Sequence, residues 1–179
     1  MKKETCVILV DENDHPIGEA EKIEAHQKAL CHRAFSIFIF SQTNDQLDLL
    51  IQQRHPEKYH CGGLWTNSCC SHPRPGQSTD AAAHRRLQEE LNLTIALQHV
   101  GAFHYIAPFD NGLTENEYDH VYVGFTNNRH VNPNPDEIAA VKWEDVITLK
   151  KDMQKHPDRY TPWFAESLEI ALAGILPGA

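Results

Sequence analysis

The first half of the chain carries apolar runs of strand length, separated by turn-forming residues. Thr5–Val10 predicts a first strand, Asp11–Pro16 a turn and Ile17–Glu21 its hairpin partner. Ala34–Phe40 is dense in aromatic and β-branched residues and predicts a buried strand, with Gln46–Gln53 as its antiparallel partner. This half of the chain therefore predicts a sheet built largely from hairpins.

The clearest helical pattern follows at Ser78–Leu93. Ala83, Leu87 and Leu91 recur every four residues, which places them on one apolar face of a helix. Ser78 or the next residue can cap its first turn. The pattern predicts an amphipathic helix that packs its apolar face against the sheet.

The remaining segments extend this picture of strands and helices. Strands are predicted at Trp65–His72, Gln98–Ile106, Glu117–Thr126 and Ala139–Trp143, and helices at Lys22–Leu30, Glu144–Lys155 and Trp163–Gly174. No repeat or linker divides the chain. We therefore expect one domain, residues 1–179, of the α/β (α+β) class, with a mixed sheet packed between helices.

Composition narrows the possible classes of partner. The chain has 179 residues, 16 Lys plus Arg against 25 Asp plus Glu, and a net charge of −9. Without clustered positive charge we expect no nucleic-acid or membrane partner. The 5 cysteines, without a secretion pattern, predict reduced thiols and a cytoplasmic location.

Two short patterns carry candidate chemistry. In an extended segment Cys70 and His72 share one face, as do Glu115 and Glu117. A buried thiol beside a surface histidine, and a solvated pair of carboxylates, are the structural alternatives. With His26, His32 and His72, the two glutamates would give three nitrogen and two oxygen ligands, a set that suits Zn, Mn or Fe.

Spacing alone does not select these three histidines from the 12 in the chain, and the others are interpreted mostly as surface residues. On the helix, Arg85 with Glu89 and Arg86 with Glu90 are i, i+4 pairs. They form either ordinary surface ion pairs or an arginine for an anion beside a carboxylate for a hard cation. Arg54 and Lys58, four residues apart in a proline-broken loop, are similar candidates for phosphate oxygens.

Taken together, the motifs resemble the type 1 isopentenyl-diphosphate isomerases of the Nudix superfamily. The resemblance is carried by Trp65-Thr66-Asn67-Ser68-Cys69-Cys70-Ser71-His72-Pro73, Ala25-His26, His32-Arg33-Ala34-Phe35-Ser36, Arg85-Arg86-Leu87-Gln88-Glu89-Glu90-Leu91 and Glu115-Asn116-Glu117. These matches run in family order from about Lys22 to Trp163, most of the chain. The resemblance implies a Nudix-like mixed sheet between helices, with additional N-terminal strands.

The general Nudix signature is altered in this chain. Ser71 stands in place of its opening Gly, Gln77 in place of its first Glu, and Arg86 at a position where Glu is expected. These losses disfavour a diphosphate hydrolase and agree with the isomerase branch. Asn92 in place of the closing Gly departs from both, and Gly62 stands where Pro is frequent.

The resemblance also implies roles for individual residues. One divalent metal (Mn, Zn or Mg) would be held by His26, His32, His72, Glu115 and Glu117. Glu90, with the carbonyl of Cys70, would hold a magnesium ion that bridges to the substrate diphosphate. Lys22, Arg54, Lys58 and Arg86 would bind diphosphate oxygens, while Cys70 and Glu117 would be the catalytic pair, with Tyr105 beside Glu117 and Trp163 over the isoprenoid.

The expected reaction converts isopentenyl diphosphate, a small-molecule substrate, to dimethylallyl diphosphate in isoprenoid biosynthesis, by a monomer or weak dimer. A Nudix hydrolase of nucleoside or isoprenoid diphosphates is the alternative within enzymes. A non-catalytic metal or redox sensor is the alternative outside them, and it would leave Arg54, Lys58 and Glu90 without a role.

Overall fold

The computed structural model describes residues 6–176, which contain nine strands and four α-helices. The strands are β1 (Cys6–Val10), β2 (Pro16–Glu21), β3 (His32–Thr43), β4 (Gln46–Arg54), β5 (Trp65–Thr66), β6 (Cys69–Ser71), β7 (Gln98–Pro108), β8 (Thr114–Phe125) and β9 (Ile138–Asp145). The helices are α1 (Lys22–Gln27), α2 (Thr79–Leu91), α3 (Val146–Lys155) and α4 (Phe164–Ile175). Each predicted helix and strand is present with shifted ends, except the one at 65–72; Thr5 lies outside the described residues.

The long strand β3 is the centre of a mixed sheet. It runs parallel to β8, with His32 opposite Glu117 and Phe40 opposite Phe125. On its other side it pairs antiparallel with β1, β6 and β4 in turn. The N-terminal hairpin of β1 and β2 extends the sheet at one edge, as the sequence predicted.

Alternate residues of β3 point to opposite sides of the sheet, and both sides are covered and buried. Phe35, Ile37 and Ile39 pack in one cluster with the apolar face of α2. Phe38 and Phe40 pack in a second cluster with residues of α3 and α4. The prediction of a mixed sheet between helices is confirmed.

The prediction of a single strand at 65–72 was wrong. The structure has β5 and β6, separated by the buried residues Asn67 and Ser68. The Ser68 hydroxyl accepts from the Ile39 amide at 2.8 Å and donates to the Leu50 carbonyl at 2.6 Å. Side-chain hydrogen bonds therefore replace the strand ladder at this point, which apolar patterning does not reveal.

Two departures from the family pattern have structural explanations. Asn92 caps the end of α2 in the left-handed conformation (φ 53°), and its side chain donates to the Asn132 carbonyl at 2.7 Å. Asn is among the few non-glycine residues that adopt this conformation readily. At Gly62, a Cβ atom would lie 2.3 Å from the carbonyl oxygen of Pro56, so this loop has no room for a larger residue.

None of the described helices is both long enough and apolar enough to cross a lipid bilayer. All five cysteines lie within the described residues, and none of them forms a disulfide there.

Candidate active site

Three histidines and two glutamates from four parts of the fold meet inside the protein. His26 lies on α1, His32 begins β3, His72 follows β6, and Glu115 and Glu117 lie on β8. One ligand atom from each residue lies within 4.8 Å of all the others, and all five residues are buried. The structure therefore brings together the whole set named from the sequence.

Strand geometry explains how β8 contributes two ligands. Along β8, Glu115 and Glu117 alternate with the more exposed Asn116 and Tyr118, so both carboxylates point to the same buried side. The parallel register places Glu117 directly opposite His32. The sequence prediction that the two carboxylates share one face is confirmed.

Backbone carbonyls orient two of the histidine rings. Nδ1 of His26 donates to the Lys22 carbonyl at 2.5 Å, and Nδ1 of His32 donates to the Leu30 carbonyl at 2.8 Å. Both Nε2 atoms are consequently directed toward the glutamates, and within the described residues neither has an aligned hydrogen-bond partner. Histidines that bind metals are commonly oriented in this way through their second nitrogen.

The residues of the group fit a divalent cation. Five nitrogen and oxygen ligand atoms converge in a buried space, and two carboxylates there need positive charge to offset their desolvation. Burial lowers the pKa of His72 to about 4, against the opposing effect of Glu117, so this ring is neutral and its lone pair is available at neutral pH.

The electrostatics of the two glutamates follow from their partners. Burial alone would raise the pKa of Glu115, but contacts with His26 and His60 hold that pKa well below its usual value. Burial and Glu115 raise the pKa of Glu117, whereas His32 and His72 lower it, and the lowering prevails. Both carboxylates are therefore kept ionised by the surrounding imidazoles.

A cavity of about 1170 Å³ opens above this group. Cys70, Tyr105, Glu117 and Trp163 line one part of it. Tyr105 donates a hydrogen bond of 2.5 Å to Oε2 of Glu117, and His72 Nε2 lies 2.7 Å from the other oxygen. The four residues expected to act on the isoprenoid thus share one cavity.

Cys70 faces this cavity from β6, whereas Cys69 points away into the core beside α2. Desolvation of the Cys70 thiol raises its pKa to about 12, despite the opposing charge of Arg54. Cys70 is therefore a neutral thiol at neutral pH. Since β6 and β8 flank β3 on opposite sides, Cys70 and Glu117 reach the cavity from different strands.

The four cations named from the sequence line the same cavity. Arg54 is the last residue of β4 rather than part of the following loop, and its guanidinium lies 5.7 Å from the Trp163 ring centre. Lys22 lies over the ring of Tyr59 at 4.9 Å. Lys58 forms an ion pair with Glu137, which also lies 3.7 Å from Arg86.

Glu90 lies apart from the His/Glu group, on α2. It is buried, forms an ion pair with Arg86 and accepts a hydrogen bond of 3.2 Å from Gln52. Arg85 pairs with the more exposed Glu89 at 3.1 Å. Both i, i+4 pairs therefore form, and only the pair of Arg85 and Glu89 resembles an ordinary surface ion pair.

Sequence reasoning missed two residues of the site. His60 was grouped with the surface histidines, but it is only 5% exposed and lies 2.5 Å from Glu115. Glu137 bridges two of the expected diphosphate-binding cations. The prolines and glycines around residue 60 predicted a loop, and no periodicity indicated which loop residues turn inward.

Comparison with known proteins finds a matching domain family and relatives that are similar in sequence. The NUDIX domain family matches residues 31–164. Isopentenyl-diphosphate Delta-isomerase 2 of Photorhabdus laumondii is 47% identical over 88% of this chain and 87% of its own length. The isopentenyl-diphosphate Delta-isomerase of Pectobacterium atrosepticum is 48% identical over 89% and 87%.

Solved structures support the fold at low sequence identity. DR0079 from Deinococcus radiodurans superposes with a TM-score of 0.71 and 18% identity, over 96% of this chain and 99% of that one. The NUDIX domain of Shewanella oneidensis NrtR, solved with ADP ribose, gives a TM-score of 0.64 and 14% identity, over 80% and 88%. At such identities the likeness concerns the fold alone.

Proposed function

The chain belongs to the NUDIX domain proteins and, among them, to the isopentenyl-diphosphate Delta-isomerases, and we infer that it interconverts isopentenyl and dimethylallyl diphosphate. One observation carries this inference. A buried His/Glu group, a hydrogen-bonded Glu117, the Cys70 thiol and four cationic side chains all face one cavity. That combination provides proton carriers and an anion-binding region within reach of one small substrate.

The reaction requires two proton carriers. One proton is added to an alkene carbon, which leaves a tertiary carbocation, and another proton is removed from a different carbon next to the cationic centre. Cys70 and Glu117 are suited to these roles because they enter the cavity from strands on opposite sides of β3. Positioned proton transfer of this kind contributes about 100- to 10,000-fold in rate.

Tyr105 and Trp163 complete the apolar end of the cavity. Trp163 is 3% exposed, its indole nitrogen donates to Asn67 at 3.3 Å, and its ring centre lies 6.0 Å from that of Tyr105. An aromatic face that is screened from water stabilises a cation by about 2 kcal/mol. The same screening protects the carbocation from capture by water.

The polar end of the cavity suits a diphosphate. Lys22, Arg54, Lys58 and Arg86 supply positive charge on an otherwise acidic protein. Glu90, buried against Arg86, is placed to bind a magnesium ion that accompanies the diphosphate. The net charge of −9 therefore describes the surface as a whole rather than this site.

The His/Glu group would hold the second cation, through His26, His32, His72, Glu115 and Glu117. When bound there, a divalent ion supplies positive charge beside Glu117, which orients this carboxyl group and tunes its acidity. The Tyr105 hydroxyl donates a hydrogen bond to Oε2 of Glu117 and thereby restricts the orientation of this carboxyl group.

Incubation with isopentenyl diphosphate in heavy water tests the proposed reaction. We expect deuterium in the dimethylallyl product, no phosphate release, and loss of turnover after treatment with a strong chelator. Release of phosphate or pyrophosphate without deuterium incorporation would identify a hydrolase instead. Metal binding without any turnover of substrate would support a sensor.

We also propose that residues 1–179 form one catalytic domain that works in the cytoplasm as a monomer or weak dimer. None of the five cysteines, all of which lie within the described residues, forms a disulfide, as expected in a reducing compartment. Sedimentation measurements over a range of protein concentrations test the oligomeric state.

A further inference from the structure

His60 is a buried histidine outside the five-residue metal group. It lies in the loop between β4 and β5 and lines the cavity with 5% of its surface exposed. Its Nε2 atom lies 2.5 Å from Oε1 of Glu115. It does not belong to the set of ligand atoms that lie within 4.8 Å of one another, so it contacts a ligand without being part of the group.

The two oxygens of Glu115 face different histidines. Oε1 is directed to His60, whereas Oε2 lies 3.0 Å from His26 and 3.6 Å from His32. Only Oε2 therefore faces the interior of the His/Glu group. Glu115 is 2% exposed, so water has little access to its carboxylate while His60 is in place.

The ring of His60 is itself held in place. It stacks on Phe109 with a centroid distance of 4.8 Å and an angle of 9°, and it meets Trp163 edge-on at 6.0 Å. The carbonyl of His60 accepts a hydrogen bond of 3.2 Å from Arg54. The loop and the neighbouring rings thus fix the imidazole against Glu115.

We propose that His60 is a positioning residue that holds Oε1 of Glu115, so that this carboxylate binds the metal through Oε2 alone. This inference rests on the proposed function, because it assumes that the His/Glu group holds a metal. Nε2 of His60 lies 2.5 Å from Oε1, but the two atoms are not aligned as a hydrogen bond. Hydrogen bonds at functional sites are commonly misaligned before the functional complex forms and become aligned when it does.

Three substitutions separate this role from simple packing. His60→Leu removes the donor and keeps apolar bulk, and His60→Asn keeps an amide that is too short to reach Oε1. His60→Gln places an N–H near the position of Nε2. All three are compared with the unmodified chain of residues 1–179. The measurements are the melting temperature without metal, the Mn²⁺ affinity by competition with a fluorescent chelator, and kcat and KM at saturating Mn²⁺ and Mg²⁺.

We expect the Leu and Asn variants to bind Mn²⁺ about 10- to 100-fold more weakly, and the Gln variant to recover most of the affinity. In a Glu115→Gln background, His60→Leu should change Mn²⁺ affinity little, because the oxygen that it positions is already altered. Unchanged affinity in the Leu and Asn variants, or no rescue by Gln, overturns the role of His60. Failure of the unmodified protein to bind Mn²⁺ overturns the metal site itself, a result distinguishable from the former.

Discussion

The hydroxyl of Tyr105 donates a hydrogen bond of 2.5 Å to the carboxylate of Glu117 across the β7–β8 pair. The two residues are directly opposite in register, so the bond is fixed by two paired strands rather than by a loop. Burial and the charge of Glu117 raise the pKa of Tyr105 well above its usual value, so the phenol remains a donor throughout the working pH range.

Removal of this donor should slow turnover without unfolding the protein. A hydrogen bond to a charged group contributes about 1.5–3 kcal/mol, so Tyr105→Phe is expected to lower kcat about 10- to 100-fold. Tyr118→Phe is the matched control, because Tyr118 adjoins Glu117 on β8 but lies on the opposite face. Steady-state kinetics and melting temperatures of both variants provide the measurement; equal kcat values in the two would refute the role of Tyr105.

The two adjacent cysteines should respond in opposite ways to substitution. Cys70→Ala is expected to abolish nearly all turnover while the melting temperature stays close to that of the parent, because Cys70 lines the cavity. Cys69→Ala should keep turnover but lower stability, because Cys69 is buried in the core beside α2.

Glu117→Gln, which changes the second proposed proton carrier, should also be nearly inactive. Substantial activity in both Cys70→Ala and Glu117→Gln would contradict the proposed catalytic pair.

The reactivity of Cys70 should depend on pH in the direction that its pKa dictates. Only the thiolate reacts with iodoacetamide, and a pKa of about 12 leaves about one molecule in 10,000 as thiolate at pH 8. We therefore expect Cys70 to be modified far more slowly than the exposed Cys6, with a rate that is still rising at pH 10. Peptide mass spectrometry after timed alkylation gives both rates; a Cys70 rate that levels off below pH 9 would exclude the raised pKa.

Metal affinity should fall as the pH is lowered. Burial opposes protonation of His32, but Glu117 and Glu115 outweigh it and raise the pKa of this ring, so a proton competes with metal for Nε2 at neutral pH. The Mn²⁺ dissociation constant should therefore rise between pH 8 and pH 6, by at most about tenfold per pH unit for one released proton. His72, with a pKa of about 4, adds no slope in this range.

Titration of the chelator-treated protein with Mn²⁺ at several pH values tests this expectation. The exposed His104 lies outside the His/Glu group, so His104→Ala should keep the slope of the parent. A dissociation constant that is independent of pH would show that no histidine of the group loses a proton on binding.

Local patterns in the sequence identified most of the secondary structure. The apolar repeat of Ala83, Leu87 and Leu91 and the cap at Ser78 predicted α2, and the structure confirms both. These features depend on residues within about four positions of one another, so they can be inferred without knowledge of the fold. The break at Asn67 and Ser68 could not be inferred, because Ser68 bonds to two other strands.

In the site, too, some features could be inferred from the sequence, and others depend on contacts between distant parts of the chain. The sequence by itself determined which residue types are present and, through motifs that resemble one enzyme family, which of them belong together. Only the tertiary structure decided that His60 lies against Glu115 and that Glu137 pairs with Lys58, 79 positions earlier in the chain. Such contacts follow from strand order, register and loop closure, and these are fixed by the packing of the whole domain rather than by local sequence patterns.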